Sequence, residues 1–330
     1  MSVSVVGVDL GGTKVAAAAL SGERIESSLM RPTELSDSGA LIDQLVDLVR
    51  DCRDSELDAV GIGVPSVVEF ETGRVVSSVN IPLADVPLRQ VLGDRLGVPV
   101  FVDNDATVAA LAEAHDEHLK LVARNLVMLT VGTGVGGGLV LGGRIYRGST
   151  GGAGELGHTI VGLDLEGENE VPPAARFPQT GSLESVASGH ALDRVAAEGA
   201  KLHPDSALAR LVGRELLGAE AVRAAAEGDA TAGWIVEIWA ERVGIGVANA
   251  INTFDPDEVV IGGGAVLAGD LLLKPATRVA RDYVVPGLGD KTVIRLARHG
   301  VRAGVLGAAL LAADELAHPS VPLPDQARVR

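Results

Sequence analysis

The sequence has little cysteine and few basic side chains, and both shortages exclude classes of protein. A single cysteine, Cys52, excludes an internal disulfide bond and a zinc site built from cysteines. Lysine and arginine number 28 against 44 acidic residues, so the formal net charge is −16 at pH 7. Such a chain is repelled by phosphate backbones and anionic membranes, and we expect neither nucleic acid nor a membrane among its partners.

Long apolar runs are also missing. The first apolar segment is interrupted by Asp9 and Lys14, and no stretch reaches the length of a membrane span. Residues 1–4 have neither the charged region nor the cleavage site of a secretory leader, which predicts a cytoplasmic protein. The 330 residues are 47% hydrophobic, which is enough for a sizeable core, and this length favours two domains.

Glycine, by contrast, is abundant, with 42 residues, and some of these glycines form three clusters. Each cluster follows an apolar run that we predict to be a buried strand. Helical periodicity lies between these strands, and strands that alternate with helices indicate an α/β protein. The glycine clusters are 11–12, 132–138 and 262–264, the preceding strands are 3–8, 126–131 and 259–261, and the predicted helices are 39–52, 106–114, 185–198, 232–252 and 303–316.

The first two glycine clusters look like one unit used twice. The segments VVGVDLGGTKVAAAAL (5–20) and LVMLTVGTGVGGGLVLGG (126–143) each read as strand, glycine turn and strand. We interpret them as matching hairpins that open two related halves of the chain, with a cleft between the halves. Two segments, 64–82 and 163–181, have the composition of loops, and the second of these is rich in proline.

Residues 132–137 match the dinucleotide-binding pattern G-x-G-x-x-G, but that pattern requires a helix after the glycines, and here a second strand follows. Two facing glycine hairpins would instead offer backbone N–H groups to a phosphate chain. The hydroxyls of Thr13 and Thr133 add donors, and Lys14 adds positive charge. The alternative is that both loops are tight turns that need glycine for positive φ.

Acidic side chains follow two of the predicted strands. Asp9 precedes the first glycine turn, where a carboxylate can organise a hydrated Mg²⁺ or else bond to its own turn. Asp103 and Asp105 follow the strand at 99–102, at the kind of sheet edge where ligands bind. Either acid could accept the proton of an attacking hydroxyl, and Asp105 could instead cap the helix that follows. Spacing alone does not choose between them.

Further polar residues suit a neutral polyol better than an anion, because carboxylates and amides share protons with hydroxyl groups. Glu155 and His158 lie three residues apart, and Glu184 and Asn80 supply another acid and an amide. For His158 the alternative is a histidine that is hydrogen-bonded within the structure.

Taken together, these motifs resemble the ROK family of sugar kinases and sugar-responsive repressors, and most closely its bacterial glucokinase branch. The resemblance covers about residues 5–316. It is carried, in order, by Asp9-Leu10-Gly11-Gly12-Thr13-Lys14, Asn104-Asp105-Ala106, the glycine cluster at 132–138, Glu155-Leu156-Gly157-His158, Gly181-Ser182-Leu183-Glu184, Ala187-Ser188-Gly189 and Gly262-Gly263-Gly264.

The resemblance implies the actin-like ATPase fold, in which a ribonuclease H-like unit is duplicated to give two α/β domains around a central cleft. It implies a small domain at 1–105 completed by the helix at 303–316, a large domain at 106–302, and a tail at 317–330. The implied reaction is phosphoryl transfer from ATP to the C6 hydroxyl of a hexose, glucose first among them, by a homodimer or homotetramer.

The resemblance also assigns roles to residues. Asp105 takes the part of the general base, whereas Asp103 lies outside the catalytic role. The sugar ligands are Asn104, Glu155, His158 and Glu184, with Asn80 and Ser66 lining the same pocket. The residues implied to hold ATP and Mg²⁺ are Asp9 (Mg²⁺, through water), Gly11, Gly12, Thr13, Lys14, Gly132, Thr133, Gly134 and Gly136, and Gly263 and Gly264 approach the nucleoside.

Three departures separate this chain from the family pattern. Many members hold a structural zinc with three cysteines and the histidine that corresponds to His158, but here those cysteine positions are Ala175, Phe177 and Ser182. We therefore predict that zinc is absent, because one histidine does not make a tetrahedral site, and that Phe177 and nearby prolines pack in its place. Thr107 and Ser66 replace an asparagine and a glycine that the family often has, which leaves the sugar open.

Several functions remain as alternatives. Within the kinase class they are an N-acylhexosamine kinase, a fructokinase and a polyphosphate-using glucokinase. A sugar-responsive repressor would carry a DNA-binding module ahead of Val3, where we expect none, and the negative charge also opposes it. A non-catalytic sugar sensor is opposed by the presence of Asp9, Asp105 and both glycine loops.

Overall fold

The computed structural model describes residues 3–22, 24–53, 56–78, 80–162, 177–211 and 217–321. The chain divides into two units. The first unit comprises residues 1–124, 138–154 and 299–330, and the second comprises 125–137 and 155–298. No helix in these described ranges combines the length and the apolar character that crossing a membrane requires.

The first half of the chain forms a sheet covered by helices, with a small hairpin beside it. Strand β1 is buried along most of its length, as expected for a strand inside a sheet. The elements are β1 (Ser4–Leu10), β2 (Lys14–Ser21), β3 (Arg24–Pro32), α1 (Ser38–Cys52), β4 (Ala59–Val64), β5 (Ser66–Glu69), β6 (Arg74–Ser78), α2 (Leu88–Leu96), β7 (Val100–Asn104) and α3 (Asp105–Glu113).

The second half repeats the pattern of a glycine hairpin followed by helices and parallel strands. Its elements are β8 (Leu126–Val131), β9 (Val135–Leu141), β10 (Arg144–Ile145), α4 (Leu183–Ala187), α5 (Gly189–Leu202), α6 (Leu217–Ala226), α7 (Ala230–Phe254), β11 (Glu258–Gly262), α8 (Asp270–Tyr283), β12 (Val293–Leu296) and α9 (Ala303–Ala317).

The two five-stranded sheets have equivalent strand orders, which agrees with the internal duplication inferred from the hairpins. The orders are β3-β2-β1-β4-β7 and β10-β9-β8-β11-β12. β1 pairs antiparallel with β2 and parallel with β4, and β8 pairs parallel with β11. In both sheets the strand that precedes a glycine loop is therefore the central one, and the loop lies at its carboxyl end.

Helix α9 returns to the first unit, where glycines allow it to approach very closely. Gly7 on β1 and Gly61 on β4 face its backbone, and a Cβ at either position would overlap Val305 O or Ala308 O. Gly307 on α9 meets the backbone of α3 in the same way. Because these glycines have no side chains, α9 packs directly against the sheet and also against α3.

The structure differs from the predicted elements in three places. The predicted helix 185–198 is two helices, because Ser188 ends α4 and its side chain caps α5. The predicted loop 64–82 contains the β5–β6 hairpin. Helix α3, which the sequence boundary after Asp105 assigned to the large domain, belongs to the first unit because it packs on α9. Most of the predicted loop 163–181 (163–176) and residues 322–330 of the tail lie outside the described residues.

Candidate functional site

Asp9 lies near the end of β1, beside the first glycine loop (residues 11–13). Its carboxylate is half-buried, and burial raises its pKa, while the nearby positive charge of Lys14 acts in the opposite direction. Gly304, at the start of α9, provides the space that this carboxylate occupies, since a Cβ there would lie 2.5 Å from Asp9 Cγ. The Asp9 carboxylate is therefore held at the loop in a partly desolvated position, with Lys14 as a nearby positive charge.

The first glycine loop is held by hydrogen bonds rather than by an unusual backbone conformation. The Gly11 N–H donates to Lys14 O at 2.9 Å, and Thr33 donates to the carbonyl groups of Gly11 and Thr13 at 2.7 and 3.0 Å. Neither Gly11 nor Gly12 has positive φ, so the tight-turn alternative is wrong for this loop. Thr13 and Lys14 are exposed.

Asn80 lies next to the first glycine loop. A Cβ added at Gly12 would come within 3.2 Å of Asn80 Cβ, and the Asn80 side chain is exposed. The structure thus brings this predicted sugar residue to the same edge of the first unit as the loop predicted to hold phosphate.

Asn104 and Asp105 lie where β7 passes into α3. Asn104 caps the helix, accepting from the N–H groups of Ala106 at 2.9 Å and Thr107 at 3.2 Å. Asp105 is the first helical residue and is not the cap, so that alternative is wrong. Burial raises the pKa of Asp105 to about 6, a bond from the Ala106 N–H lowers it, and the charge of Asp9 raises it further. Asp105 is therefore an acid that can take up a proton near neutral pH.

Ser66, at the start of β5, lies next to Asn104. Its carbonyl accepts from Asn104 Nδ2 at 3.4 Å, and its hydroxyl is buried with no hydrogen-bond partner among the described residues. A buried hydroxyl without a partner is costly, and a ligand hydroxyl would remove that cost.

Asp103 forms an ion pair with Arg147 that sequence reasoning missed. Arg147 Nε donates to Asp103 Oδ2 at 2.7 Å, and the backbone N–H of Asn104 donates to Asp103 Oδ1 at 2.9 Å. Burial raises the pKa of Asp103, and the Arg147 guanidinium opposes that rise. Arg147 also lies over the Phe70 ring, 3.4 Å from its centroid. Asp103 is thus engaged within the protein, whereas Asp105 has no cationic partner among the described residues.

The second glycine loop (residues 132–135) joins β8 to β9. The Gly132 N–H donates to Gly134 O at 2.9 Å, and the Val135 N–H donates to Glu184 Oε2 at 2.8 Å. Gly132, Gly134 and Gly136 all lack positive φ, so the tight-turn alternative fails here too. Thr133, at the tip of the loop, is exposed, and Gly136 lies in β9.

Glu155 and His158 lie at either end of a short 3-10 turn. Glu155 is exposed, and its Oε2 lies 3.6 Å from His158 Nε2. His158 Nδ1 is buried without a hydrogen-bond partner in the described part of the chain. One face of the His158 ring meets Phe177 at 4.8 Å between centroids, although Phe177 itself is 68% exposed.

The three positions that replace the zinc cysteines supply no metal ligand. Ala175 lies outside the described residues, Phe177 covers His158, and Ser182 caps α4 through its hydroxyl. Within the described residues no cluster of three or more histidine, cysteine or acidic side chains is placed to hold a metal ion. The donor set therefore does not fit zinc, which takes four nitrogen or sulfur ligands at structural sites.

A cavity of about 330 Å³ opens beside the second glycine loop, within the second unit. Gly132 and Gly264 border it, and each has open space where a Cβ would stand and no positive φ. Gly263 does need to be glycine, because its φ is 76° and a Cβ would lie 2.5 Å from Val131 O. The cavity wall is mostly apolar and includes Thr133, Leu192, Val222, Trp239 and Ala265.

Trp239 is a second residue that sequence reasoning missed. It is buried in the long helix α7, and its Nε1–H donates to Ala187 O at 2.8 Å and Ser188 O at 3.2 Å. These bonds fix the corner between α4 and α5 at the cavity. A tryptophan among the apolar positions of a core helix shows no sequence signal for such a role.

The predicted site residues therefore fall into two groups, one in each unit. The first-unit site residues gather around the ends of β1 and β7. The second-unit site residues gather around the end of β8. The first group is Asp9, Gly11, Gly12, Thr13, Lys14, Ser66, Asn80, Asn104 and Asp105, and the second is Gly132, Thr133, Gly134, Gly136, Glu155, His158, Glu184, Gly263 and Gly264.

Comparisons with known proteins agree on one family. Residues 5–315 match the ROK family profile. The chain is 39% identical over 317 residues to a glucokinase of Halalkalibacterium halodurans, covering 92% of each chain. It is 32% identical over 313 residues to an N-acetyl-D-glucosamine kinase of Aliivibrio fischeri, covering 92% of this chain and 98% of that one. A Streptomyces griseus ROK family glucokinase, solved with glucose and AMPPNP, is 31% identical with a TM-score of 0.74, covering 94% of this chain and 99% of its own.

Proposed function

The chain belongs to the ROK family, and from that premise we propose that it transfers the γ-phosphoryl group of ATP to the C6 hydroxyl of glucose. It has the actin-like ATPase fold of ROK sugar kinases, and its two sheets of equivalent strand order are the duplicated halves of that fold. The observation that carries the proposal is Asp105, a half-buried acid directly after β7 whose pKa is raised to about 6.

Asp105 acts as the general base. Its raised pKa lets it accept the proton of the sugar hydroxyl as that oxygen attacks phosphorus, which is the role such an acid has in phosphoryl transfer. Asn104 fixes its position by capping α3. The engagement of Asp103 with Arg147 supports Asp105 rather than Asp103 in this role.

The residues proposed to bind the sugar are hydroxyl-sharing groups. In the first unit these are Asn104, Asn80 and the buried hydroxyl of Ser66. In the second they are the carboxylates of Glu155 and Glu184 and the ring of His158, whose Nδ1 is without a partner among the described residues.

The donor is ATP rather than polyphosphate, because the second unit has an apolar cavity for a nucleoside. Gly263 and Gly264 allow the nucleoside to approach the backbone, and the N–H groups and threonine hydroxyls of the glycine loops bind the phosphates. Mg²⁺, when bound, neutralises charge on the phosphates. The site fits this ion, because the half-buried Asp9 carboxylate beside the first glycine loop can bind the waters of a hydrated Mg²⁺, an ion that takes few protein ligands and keeps several waters.

A second candidate is an N-acylhexosamine kinase, which the similarity to the Aliivibrio fischeri enzyme favours. A coupled assay should use glucose, mannose, fructose, N-acetylglucosamine and N-acetylmannosamine as acceptors, each with ATP or polyphosphate as donor. We expect the highest kcat/KM for glucose with ATP. A higher value for an N-acylated sugar would replace glucose, preference for polyphosphate would contradict the donor assignment, and no activity with any pair would overturn the kinase proposal.

We also propose that the protein functions without structural zinc. The positions that would carry the ligands hold Phe177, Ser182 and Ala175, and none of these side chains binds zinc. Mass spectrometry of the metal content of active, purified protein should find far less than one zinc per chain. One zinc per chain would contradict the proposal.

A further inference from the structure

The second glycine loop contacts two motifs that contain residues assigned to sugar binding by the proposed function. Val135 closes the loop, and its N–H donates to Glu184 Oε2 at 2.8 Å. Its carbonyl faces Gly157, in the turn between Glu155 and His158, where a Cβ would overlap Val135 O. The loop that binds phosphate is therefore in direct contact with both acidic motifs of the second unit.

The other end of the loop is held by the segment in which α4 passes into α5. The Gly189 N–H donates to Gly132 O at 2.7 Å, and Gly189 begins α5 only five positions after Glu184. Trp239 fixes this corner through its bonds to Ala187 O and Ser188 O. Both ends of the loop thus depend on the short segment from Glu184 to Gly189.

At Gly134 the loop packs closely against the Glu184 carboxylate. The φ of Gly134 is not positive, so its backbone conformation is open to other residues. A Cβ at this position would nevertheless overlap Glu184 Oε2. A side chain at position 134 would therefore displace the Glu184 carboxylate from the loop.

We propose that Glu184 is a positioning residue for the nucleotide: its carboxylate holds the second glycine loop in the shape that binds phosphate, in addition to contacting the sugar. The inference rests on the proposed function, which supplies the nucleotide. A hydrogen bond to a charged acceptor is stronger than a neutral one, so this single bond can fix a glycine-rich segment that would otherwise be costly to order. It also connects sugar and nucleotide binding through one side chain.

The test measures nucleotide affinity in the absence of sugar, where a role in sugar binding alone has no effect. Isothermal titration calorimetry with AMPPNP and Mg²⁺ should give a Kd about tenfold higher for Glu184→Ala than for the natural protein. Glu184→Gln retains an oxygen acceptor for the Val135 N–H and should restore the Kd to within about twofold. Glu155→Ala is the matched control, since Glu155 is exposed and none of the described hydrogen bonds of the loop runs to it. Its nucleotide Kd should not change.

A second variant keeps the test decisive if Glu184→Ala fails to fold by circular dichroism. Gly134→Ala forces the carboxylate away from the loop and should also raise the sugar-free Kd about tenfold. In the double variant the two effects should not add, because both remove the same bond.

An unchanged Kd in Glu184→Ala or Gly134→Ala, or an equal rise in Glu155→Ala, would overturn the inference. Failure of the proposed function is distinct from these outcomes, because the natural protein would then not bind AMPPNP at all.

Discussion

The burial of Asp105 predicts that one substitution lowers turnover by orders of magnitude and stabilises the fold. The pKa of this carboxyl rises from 3.8 to about 6, with burial as the main cause. A tenfold change in proton affinity corresponds to about 1.4 kcal/mol, so the ionised carboxylate costs the folded state about 3 kcal/mol. Asp105→Asn removes that charge and keeps an oxygen that can accept from the Ala106 N–H.

The sign of the pH dependence follows from the direction of the shift. The folded protein binds this proton more tightly than the unfolded chain, so unfolding free energy decreases as pH rises from about 4 to about 6. Above that range the whole cost is present, and below it the carboxyl is protonated in both states. Asp105→Asn should therefore increase the unfolding free energy by up to about 3 kcal/mol at neutral pH and by almost nothing near pH 4.

Thermal melting at both pH values, combined with turnover, measures both effects. The melting temperature of Asp105→Asn should exceed that of the natural protein at neutral pH only, and its kcat should be lower by a factor of about 10² to 10⁴. Asp205→Asn, which removes an exposed acid, controls for the loss of one negative charge. A gain of the same size near pH 4, or none at neutral pH, would refute the burial argument, and retained turnover would refute the catalytic role.

Three further outcomes are expected. The kcat/KM of the natural protein should fall about tenfold per pH unit below about pH 6, because Asp105 must be ionised to accept a proton, and a pH series of initial rates measures this. Gly304→Ala places a methyl group 2.5 Å from Asp9 Cγ and should lower kcat/KM for ATP with Mg²⁺ by about tenfold to a hundredfold in steady-state assays. Arg147→Met leaves Asp103 buried without its charge partner and should cost about 3–5 kcal/mol of unfolding free energy in urea, with partial recovery in the double variant that adds Asp103→Asn.

Each of these outcomes has a contrary result. A flat rate profile between about pH 5 and pH 8 would remove Asp105 as the titrating group. Normal ATP kinetics in Gly304→Ala would show that the Asp9 carboxylate can move without consequence. An Arg147→Met protein as stable as the natural one would show that Asp103 is neutral or solvated in the folded state.

The sequence predicted the parts of the fold that depend on local pattern. Strand β8 was predicted with its observed limits, and α1 and α9 within one residue at each end, because apolar periodicity and flanking polar residues are local signals. The β5–β6 hairpin was missed, since its short strands contain serine and charged residues and the turn that joins them contains glycine, a composition typical of loops. The break at Ser188 was missed because a serine within a helical pattern can also be a cap.

The candidate site likewise has features that the local sequence predicts and features that it does not. The acids, the glycines and their order along the chain are local features, and they sufficed to identify the motifs. The partners of Asp103 and Val135 lie 44 and 49 residues away, and only the folded chain brings Arg147 and Glu184 to them. Which of two neighbouring acids is engaged, and which loop a carboxylate supports, are consequences of tertiary structure.

The return of α9 to the first unit has a consequence for biosynthesis. The strands that this helix covers emerge from the ribosome first, whereas the helix that shields Gly7 and Gly61 is translated about 200 residues later than β7, a delay on the order of 10–40 s. Throughout that interval the nascent sheet keeps an uncovered apolar face, on which chaperones can act, and the first unit reaches its final form only when α9 has left the exit tunnel.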